Sequence, residues 1–330
     1  MEKVRWGIIG CGDVTEVKSG PALQKIPHSE LVAVMRRDPA QARDYARRHR
    51  VPRVHDQALD LIRDPRVNAV YVATPPDSHC RFACLALRHQ KPVYVEKPMA
   101  LNYRQCRRMI RQARKARTPL FVAYYRRALP SFRKVKEIVD GGRMGPIRLV
   151  NLRLCRAVDP ESLRDPKSRP WRFRPAVSGG GLLIDLGSHQ LDYLHYLFGP
   201  VKKIAALPVR QVLPAEVEDV TGATLLFECG VVAHCLWCFS LPPGHNRDQI
   251  EILGERGRIR FSTFEFSPVE VTIGDEQVRY PFPKPPHVQR ALLKTVVAQL
   301  RGEGRCPSTM ESGAYTTFLL DRIRRPVIFI

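Results

Sequence analysis

Short runs of β-branched and apolar residues alternate with amphipathic stretches up to residue 124, and no other feature restricts the fold as strongly. The runs begin at residues 4, 31, 69, 92 and 119 and read VRWGII, LVAVM, AVYVAT, PVYVEK and PLFVAY. Strands that alternate with helical segments form βαβ units in a parallel sheet. The sequence therefore predicts an α/β fold with an N-terminal, doubly wound parallel sheet.

The pattern changes after about Arg126, where strand-like runs follow one another more directly. They read IRLVNLRLC, KKIAALPV, ATLLFEC, VVAHCLWCFS, QIEILGE, RIRFS, VEVTIG and QVRY, and glycine-containing turns separate some of them. Helical patterns cover Pro130 to Val139 and Leu182 to Leu197. Runs joined by tight turns form hairpins, so the second half is predicted to be an α+β domain with a large, open, mostly antiparallel sheet. We expect the domains to span residues 1–123 and 124–330.

Several of these runs, VVAHCLWCFS above all, are apolar at both alternating positions rather than at one. A sheet with this pattern is covered on both faces. Helices can cover one face, so we expect a second copy of the chain to cover the other. The sequence thus predicts a homo-oligomer, a dimer or a tetramer, assembled through the C-terminal sheet.

The 330 residues carry a formal net charge of +22, and the pI is about 10.1. Such a charge attracts phosphorylated or carboxylated partners and nucleic acid. The basic residues are dispersed, however, and clusters such as Arg107, Arg108 and Arg111 have the helical spacing of solvated helix faces. No zinc-finger, basic-zipper or RNA-recognition motif accompanies them. We therefore predict no nucleic-acid partner.

Nine cysteines, with no secretory segment and no apolar run of membrane-spanning length, indicate reduced thiols and a cytoplasmic protein without membrane contact. Cys235 and Cys238 have a metal-like spacing, but they lie in an apolar run with no second pair nearby. We interpret them as parts of a buried strand and predict no metal site. The last five residues, PVIFI, are apolar, and no function is assigned to them.

The first strand ends in Gly10-Cys-Gly12, the position at which dinucleotide-binding sheets carry their glycine turn. Glycines there permit a tight turn and let the backbone approach a pyrophosphate at the N-terminus of the next helix. Asp13 and Val14 would begin that helix. Thr15 takes the third fingerprint position, where glycine or alanine is usual, and this departure lowers the specificity of the match. The turn predicts a Rossmann domain that binds a dinucleotide through these residues.

Two arginines follow the second strand at the position that distinguishes NAD from NADP. An NAD enzyme places an acidic residue there, against the ribose 2′-hydroxyl. This chain reads Arg36-Arg37-Asp38, and paired guanidiniums suit a 2′-phosphate. Asp38 is expected to cap the helix that begins at Pro39. The sequence thus predicts NADP(H) as the preferred cofactor, with NAD(H) as the alternative.

Two further strand ends carry residues at the edge where open α/β sheets bind ligands. Thr74 ends the third run and Pro75 follows it, and we expect their backbone to contact the cofactor. His79 borders the same crevice and is assigned to the cofactor, with a surface histidine as the alternative. The tripeptide EKP ends the next run. Its Glu96 is assigned to the cofactor, and its Lys97 is a candidate acid/base group.

A glycine-rich segment, SGGG, precedes a helical pattern that contains Asp185 and His189. Residues four apart share one helix face, and Asp192 lies three beyond His189. A carboxylate beside an imidazole provides an oriented proton acceptor. An ordinary ion pair on a helix surface is the alternative explanation of the same spacing.

Four segments, GIIGCGDVTE, EKPMA, YYRRALP and GGGLLIDLGSHQLDYLHYLFG, together resemble the motifs of the Gfo/Idh/MocA family, which includes glucose-fructose oxidoreductase and inositol dehydrogenase. The resemblance covers nearly the whole chain. It implies a Rossmann domain joined to an α/β domain with an open sheet. It also implies NAD(P)-linked oxidation or reduction of sugars, polyols and related compounds.

The same resemblance implies roles for individual residues. Lys97 would contact the substrate and the nicotinamide ribose, Asp185 would bind the substrate, and His189 would take or return the hydroxyl proton. Many relatives carry asparagine where this chain has Tyr125, which leaves the sugar contact at that position open. Trp171 and Arg172 could close over a substrate by stacking and hydrogen bonding, although packing alone would also explain the tryptophan.

Two other functions stay open at this point. Some members of the superfamily use a tightly held nicotinamide cofactor for glycoside hydrolysis. The strong positive charge suits a non-catalytic dinucleotide sensor or a nucleic-acid-associated protein. Within the leading interpretation, the arginines of the segment RPWRFRPAVSGGG favour an acidic or phosphorylated sugar.

Overall fold

The structure, a computed structural model, describes residues 1–325. The apolar terminal segment PVIFI lies outside the described residues. The chain divides into two compact units. The first consists of Met1–Ala128 and Pro285–Thr317, and the second consists of Leu129–Lys284 and the chain from Phe318 onward. Pro285–Thr317 therefore belongs with the N-terminal half in the structure, whereas the sequence pattern grouped it with residues 124–330.

The described part of the first unit contains one sheet of parallel strands. They are β1 (Val4–Ile9), β2 (Ser29–Met35), β3 (Arg53–His55), β4 (Ala69–Val72), β5 (Val93–Val95) and β6 (Leu120–Val122). Their order is β3-β2-β1-β4-β5-β6, which confirms the doubly wound parallel sheet. The sequence did not indicate β3 because its residues, RVH, are only half-buried and form no apolar run.

Helices connect these strands along the first 128 residues. They are α1 (Asp13–Val17), α2 (Gly20–Lys25), α3 (Pro39–His49), α4 (Ala58–Arg63), α5 (Pro76–Arg88) and α6 (Tyr103–Ala116). The strands β4, β5 and β6 are buried at every position, as a sheet covered on both faces requires. Asp38 caps α3 as expected, because its carboxylate accepts hydrogen bonds from backbone N–H groups of the first turn.

The described part of the second unit contains a larger sheet. Its strands are β7 (Ile147–Cys155), β8 (Val201–Val209), β9 (Val220–Phe227), β10 (Val232–Cys238), β11 (Arg247–Gly254), β12 (Gly257–Phe261), β13 (Val269–Ile273) and β14 (Glu276–Tyr280). They lie in the order β14-β13-β12-β11-β7-β10-β9-β8. All neighbouring pairs are antiparallel except β7 and β10. The predicted, mostly antiparallel sheet is confirmed.

The second unit also carries α7 (Pro130–Asp140), α8 (Pro175–Ser178) and α9 (Ser188–Phe198). The helix predicted from Leu182 to Leu197 is present, but Leu183–Gly187 forms a π-helical turn that leads directly into α9. A π turn lengthens the hydrogen-bonded repeat from four residues to five, which the apolar pattern does not reveal. Phe132 of α7 and Tyr193 of α9 both pack edge to face on Phe261 of β12.

One face of the second sheet is open as far as residues 1–325 are concerned. Along β10, Ala233, Cys235 and Trp237 are buried, whereas His234 and Leu236, which point to the opposite face, are exposed. The sequence led us to expect a second copy of the chain on the face that helices do not cover. Coverage of this open face by a second copy stays a prediction.

After the second sheet the chain returns to the first unit through α10 (Arg290–Arg301) and enters α11 (Met310–Ile323). The backbone N–H of Gln289 donates to the Lys18 carbonyl at 3.2 Å, and the Ser308 hydroxyl donates to the Val122 carbonyl at 2.7 Å. These bonds join the returning segment to the N-terminal sheet. No helix in residues 1–325 has the length and apolar character needed to cross a membrane.

Candidate functional site

The turn after β1 has the geometry that a dinucleotide requires. Gly10 has a φ of +94°, and a Cβ added there would lie 2.7 Å from the Thr74 side chain and 2.8 Å from its backbone nitrogen. Gly12 is extended, and apart from its two neighbours in the chain no described residue lies within 4 Å of the position that its Cβ would take. Only glycine suits the first position, and open space adjoins the second. The residues present therefore fit a pyrophosphate held against the backbone.

Thr15 fills the third fingerprint position and is buried in α1. Its hydroxyl donates to the Gly12 carbonyl at 2.7 Å, and its own carbonyl accepts a hydrogen bond from the Tyr45 hydroxyl at 3.0 Å. Asp13 and Val14 form the first turn of this helix, which has only five residues. The departure from glycine or alanine thus leaves the turn well packed, but the helix that follows is shorter than the motif suggests.

Arg36 and Arg37 follow β2 and differ in their surroundings. Arg36 is half-buried, and its guanidinium donates to the Cys11 carbonyl of the glycine turn at 3.1 Å. Arg37 is exposed. The Asp38 carboxylate accepts hydrogen bonds in the first turn of α3, that from the Gln41 backbone foremost, and these bonds lower its pKa. Two cations therefore follow the strand, and the adjacent carboxylate is engaged as a helix cap.

His79 is buried in α5, so the alternative of a surface histidine is wrong. Its ring nitrogens lie 2.7 Å from the Thr74 carbonyl and 2.9 Å from the Pro98 carbonyl. Burial lowers the pKa of His79, although both carbonyls favour its protonated form. The ring thus ties the end of β4, with Thr74 and Pro75, to the EKP segment after β5.

Glu96 is buried, and its carboxylate is the centre of an interior hydrogen-bond network. The Tyr71 hydroxyl and the Gln289 side-chain amide each donate to it at 2.6 Å. The Tyr94 hydroxyl donates to the amide oxygen of Gln289 at 2.8 Å. The backbone N–H of Lys97 donates to the second carboxylate oxygen at 3.2 Å. Glu96 therefore orients the backbone of Lys97, and a direct contact of Glu96 with the cofactor stays a prediction.

In the second unit, Asp185 lies in the π turn and His189 lies in the first turn of α9. The Nε of Arg172 donates to the Asp185 carboxylate at 3.0 Å, and the Arg172 guanidinium stands 4.6 Å from the centre of the Trp171 ring. His189 is buried, and its ring makes a T-shaped contact with Phe264 at a centroid distance of 5.9 Å. The structure brings Trp171, Arg172 and Asp185 together, and Asp185 lies one turn before His189 along the helical segment.

Tyr125 begins a short 3-10 helix, Tyr125–Ala128, and is buried in the first unit. The guanidinium of Arg126 lies 4.8 Å from the centre of its ring. The tyrosine is therefore packed against a cation where asparagine is expected from the resemblance. A substrate contact at Tyr125 stays a prediction.

Two buried residues beside these groups, Gln289 and Asp248, were missed in the sequence. Gln289 lies 193 positions after the Glu96 that it contacts. Asp248 accepts hydrogen bonds from the backbone N–H groups of Thr263, Phe264 and Glu265, and so fixes the position of Phe264. Such partners are far apart along the chain and carry no local motif, so periodicity and spacing could not identify them.

No group of three or more histidine, cysteine or acidic side chains among residues 1–325 could hold a metal ion. Cys235 and Cys238 are both buried on β10, and because they are three positions apart their side chains point to opposite faces of the sheet. Both cysteines are therefore buried in a strand as interpreted, although His234 and Leu236 of the same strand are exposed.

Two family models match the chain. A model described as an oxidoreductase family with an NAD-binding Rossmann fold matches residues 4–124, and a GFO/IDH/MocA C-terminal domain matches residues 132–260. A curated relative, Oxidoreductase P35 of Formosa agariphila, is 35% identical over 319 residues, which span 97% of this chain and 98% of that protein.

Other similar proteins cover most of the chain as well. A trans-1,2-dihydrobenzene-1,2-diol dehydrogenase of Mus musculus is 29% identical over 289 residues, 85% of this chain and 80% of that protein. The crystal structure of an aldose-aldose oxidoreductase from Caulobacter crescentus, complexed with glycerol, matches with a TM-score of 0.84 and 25% identity over 97% of this chain and 96% of that one. An oxidoreductase domain protein from Kribbella flavida, 20% identical over 98% of this chain and 96% of that one, has the same fold with a TM-score of 0.87.

Proposed function

Because the chain belongs to the Gfo/Idh/MocA family of NAD-binding oxidoreductases, we propose that it transfers hydride between a nicotinamide dinucleotide and a hydroxyl or carbonyl carbon of a sugar, sugar derivative or polyol. The observation that carries the proposal is the turn after β1, where Gly10 leaves no room for a side chain and Gly12 adjoins open space. The aldose-aldose oxidoreductase supports the substrate class, since its substrates are aldoses and this chain is similar to it over nearly its full length.

We propose that residues 1–123 hold the dinucleotide and that residues 124–330 supply the acid/base group and the contact between copies. In this assignment His79 and Glu96 act on the cofactor by positioning Thr74 and Lys97, to which they are hydrogen-bonded. The residues assigned to the cofactor are Gly10, Gly12, Asp13, Val14, Arg36, Arg37, Thr74, Pro75, His79, Glu96 and Lys97.

We propose NADP(H) as the preferred nucleotide. Two observations support it. The Arg36 guanidinium donates a hydrogen bond to the glycine turn. The carboxylate oxygens of Asp38 accept hydrogen bonds in the first turn of α3, and Asp38 is therefore a poor acceptor for a ribose 2′-hydroxyl. Exposed Arg37 adds a second guanidinium beside the same strand end. A 2′-phosphate would receive charge-assisted hydrogen bonds from this pair.

The preference is tested by replacing Arg36 and Arg37 with glutamine and measuring the Kd of NADPH and NADH by fluorescence. The affinity for NADPH should fall by about tenfold or more, while that for NADH changes much less. Arg47→Gln, an exposed arginine of α3 that pairs with Asp44, is the matched control. Equal losses for both nucleotides would contradict a phosphate role.

The proposed chemistry assigns the proton to the second unit. A nicotinamide ring, when bound, accepts or supplies the hydride. In oxidation, His189 takes the proton of the substrate hydroxyl. Asp185, held by Arg172, orients that hydroxyl together with Lys97. In reduction, His189 returns the proton to the oxygen of the carbonyl group.

This assignment is tested with His189→Ala and Lys97→Met on a panel of sugars, sugar acids and polyols. Turnover should fall by about 10²- to 10⁴-fold, while the Kd of NADPH remains close to that of the wild type. His245→Ala, which alters an exposed histidine of the second unit, should leave turnover unchanged. Unchanged turnover in both variants would remove the roles. Hydrolysis of glycosides without net change of the nucleotide would instead support cofactor-assisted hydrolysis.

A further inference from the structure

The loop after β12 is held in one position by buried polar groups. Asp248, which is buried, accepts hydrogen bonds from the backbone N–H groups of Thr263 and Phe264. The Thr263 hydroxyl accepts one from the side-chain amide of Gln190 at 3.0 Å, and the Trp237 indole donates to the oxygen of the same amide at 2.7 Å. The Phe264 ring is therefore a fixed part of the second unit, next to α9.

Phe264 contacts the imidazole of the proposed acid/base group and the guanidinium of an arginine. The imidazole of His189 makes its T-shaped contact at 5.9 Å, and the guanidinium of Arg156 lies 5.6 Å from the centre of the same ring. Arg156 directly follows β7 and is half-buried. One phenyl ring thus contacts both a cation and the proposed acid/base group.

The charge of Arg156 is not neutralised within the described part of the chain, where the guanidinium has no carboxylate within ion-pair distance. Arg172 differs, because Asp185 matches its charge at 3.0 Å. A guanidinium that lies on an aromatic ring is partly stripped of water and keeps its N–H groups for a planar anion. Carboxylates and phosphates receive paired hydrogen bonds from such a group.

We propose that Arg156 is an anion subsite and that the substrate is a sugar carrying a carboxylate or a phosphate. The inference rests on the proposed function, because it places the anionic group of the substrate one ring away from the hydroxyl on which His189 acts. Arg156 determines specificity and takes no part in proton transfer. The anion binds through N–H donors of the guanidinium, and Phe264 keeps the guanidinium in place.

The test measures equilibrium binding of D-gluconate, D-glucose 6-phosphate and neutral D-glucose to the NADP⁺-loaded protein by calorimetry. The wild type should bind at least one anionic sugar about tenfold or more tightly than D-glucose. Arg156→Gln should abolish that difference and leave the affinity for D-glucose unchanged. Arg156→Lys, which keeps the charge without the planar fork, should retain part of it. Comparison of the two anions distinguishes a carboxylate subsite from a phosphate subsite.

Arg148→Gln is the matched control, since this arginine lies on β7, the strand that Arg156 directly follows, and pairs with Glu255 on the surface. A wild type that binds neither anion more tightly than D-glucose would overturn the subsite, as would an equal loss in Arg156→Gln and Arg148→Gln. Turnover of the same sugars is recorded in parallel. Anion binding that depends on Arg156 without any turnover would count against the proposed function alone, and turnover with no effect of Arg156 would count against the subsite alone.

Discussion

Glu16 is the residue that ties the short helix α1 to α3. Its carboxylate accepts hydrogen bonds from Arg48 and from the His49 ring, both at 2.7 Å. The hydrogen bonds from Arg48, foremost, outweigh the effect of burial and lower the pKa of Glu16 from 4.5 to about 2. The residue thus stabilises the helix that directly follows the glycine turn.

Glu16→Gln should lower the free energy of unfolding by about 1–2 kcal/mol at neutral pH. Because the folded-state pKa is depressed, the contribution is present above pH 4.5 and disappears as the pH falls through about 2. The difference between wild type and variant in denaturant unfolding should therefore shrink over that interval. Glu228→Gln, on an exposed turn, should show no such difference, and a gap that is independent of pH would contradict the assignment.

Gln289 is the residue that closes the Glu96 network. Gln289→Leu would leave the Tyr94 hydroxyl and one Glu96 oxygen without this partner, which should cost about 1–3 kcal/mol of unfolding free energy. It should also lower turnover, because Glu96 orients Lys97. Denaturant unfolding and turnover assays measure the two effects. Gln277→Leu, an exposed position of β14, should change neither, and an unaffected Gln289→Leu variant would exclude the network as a support of the site.

At the scale of elements, Asp38 could either cap α3 or bind the ribose of the nucleotide, and one substitution distinguishes these two roles. Asp38→Ala should lower the free energy of unfolding, because the first turn of α3 loses its side-chain acceptor. The ratio of the NADPH and NADH affinities should stay unchanged. A selective loss of NADH affinity in the same titration would show that Asp38 binds the ribose, and NADP(H) preference would then have to be abandoned.

Every strand of the parallel sheet except β3 could be predicted from the sequence, whereas the π turn and the early end of α1 could not. The runs at residues 4, 31, 69, 92 and 119 all overlap strands of the parallel sheet, because strands buried on both faces need continuous apolar residues. The π turn at Leu183–Gly187 and the end of α1 at Val17 leave the apolar pattern intact. Such interruptions depend on tertiary packing. At Gly187, for example, an added Cβ would lie 3.1 Å from the Trp237 indole nitrogen.

Candidate site residues could be chosen from the sequence where a motif fixes their spacing, and their roles stay predictions. The glycine turn, the EKP segment and the pair Asp185 and His189 belong to this class. The residues that hold them in place, such as Gln289 for Glu96 and Asp248 for Phe264, contact them across long stretches of chain. Only the folded backbone brings these partners together, so the sequence of either segment alone carries no sign of the other.

At the scale of the whole molecule, the open face of the second sheet supports a homo-oligomer. Leu207 is 66% exposed and Leu236 is 37% exposed, and both pair in register with Gly222 of β9. Two apolar side chains on either side of a glycine form a shallow apolar strip. A second copy of the chain would remove this strip from water.

Light scattering after size exclusion tests the assembly. The wild type should have a multiple of 37.6 kDa, and the double variant Leu207→Glu, Leu236→Glu should be monomeric, because charges buried in an interface lose their hydration. Leu241→Glu is the matched control, since Leu241 is also 37% exposed but follows β10 in a loop. A monomeric wild type, or equal dissociation of the control, would refute assembly through this face.

Pro285–Thr317 belongs to the first unit although it follows the second sheet in the sequence, and this limits how the protein can be divided into fragments or recombined with a homologue. A fragment cut after Ala128 would lose the amide that Glu96 and Tyr94 share, and the Val122 surface on which Gly313 lies would be bare. The nucleotide-binding half is therefore not one continuous segment that can be separated from the rest of the chain. Exchanging it between homologues requires transplanting two separate stretches of the gene at once.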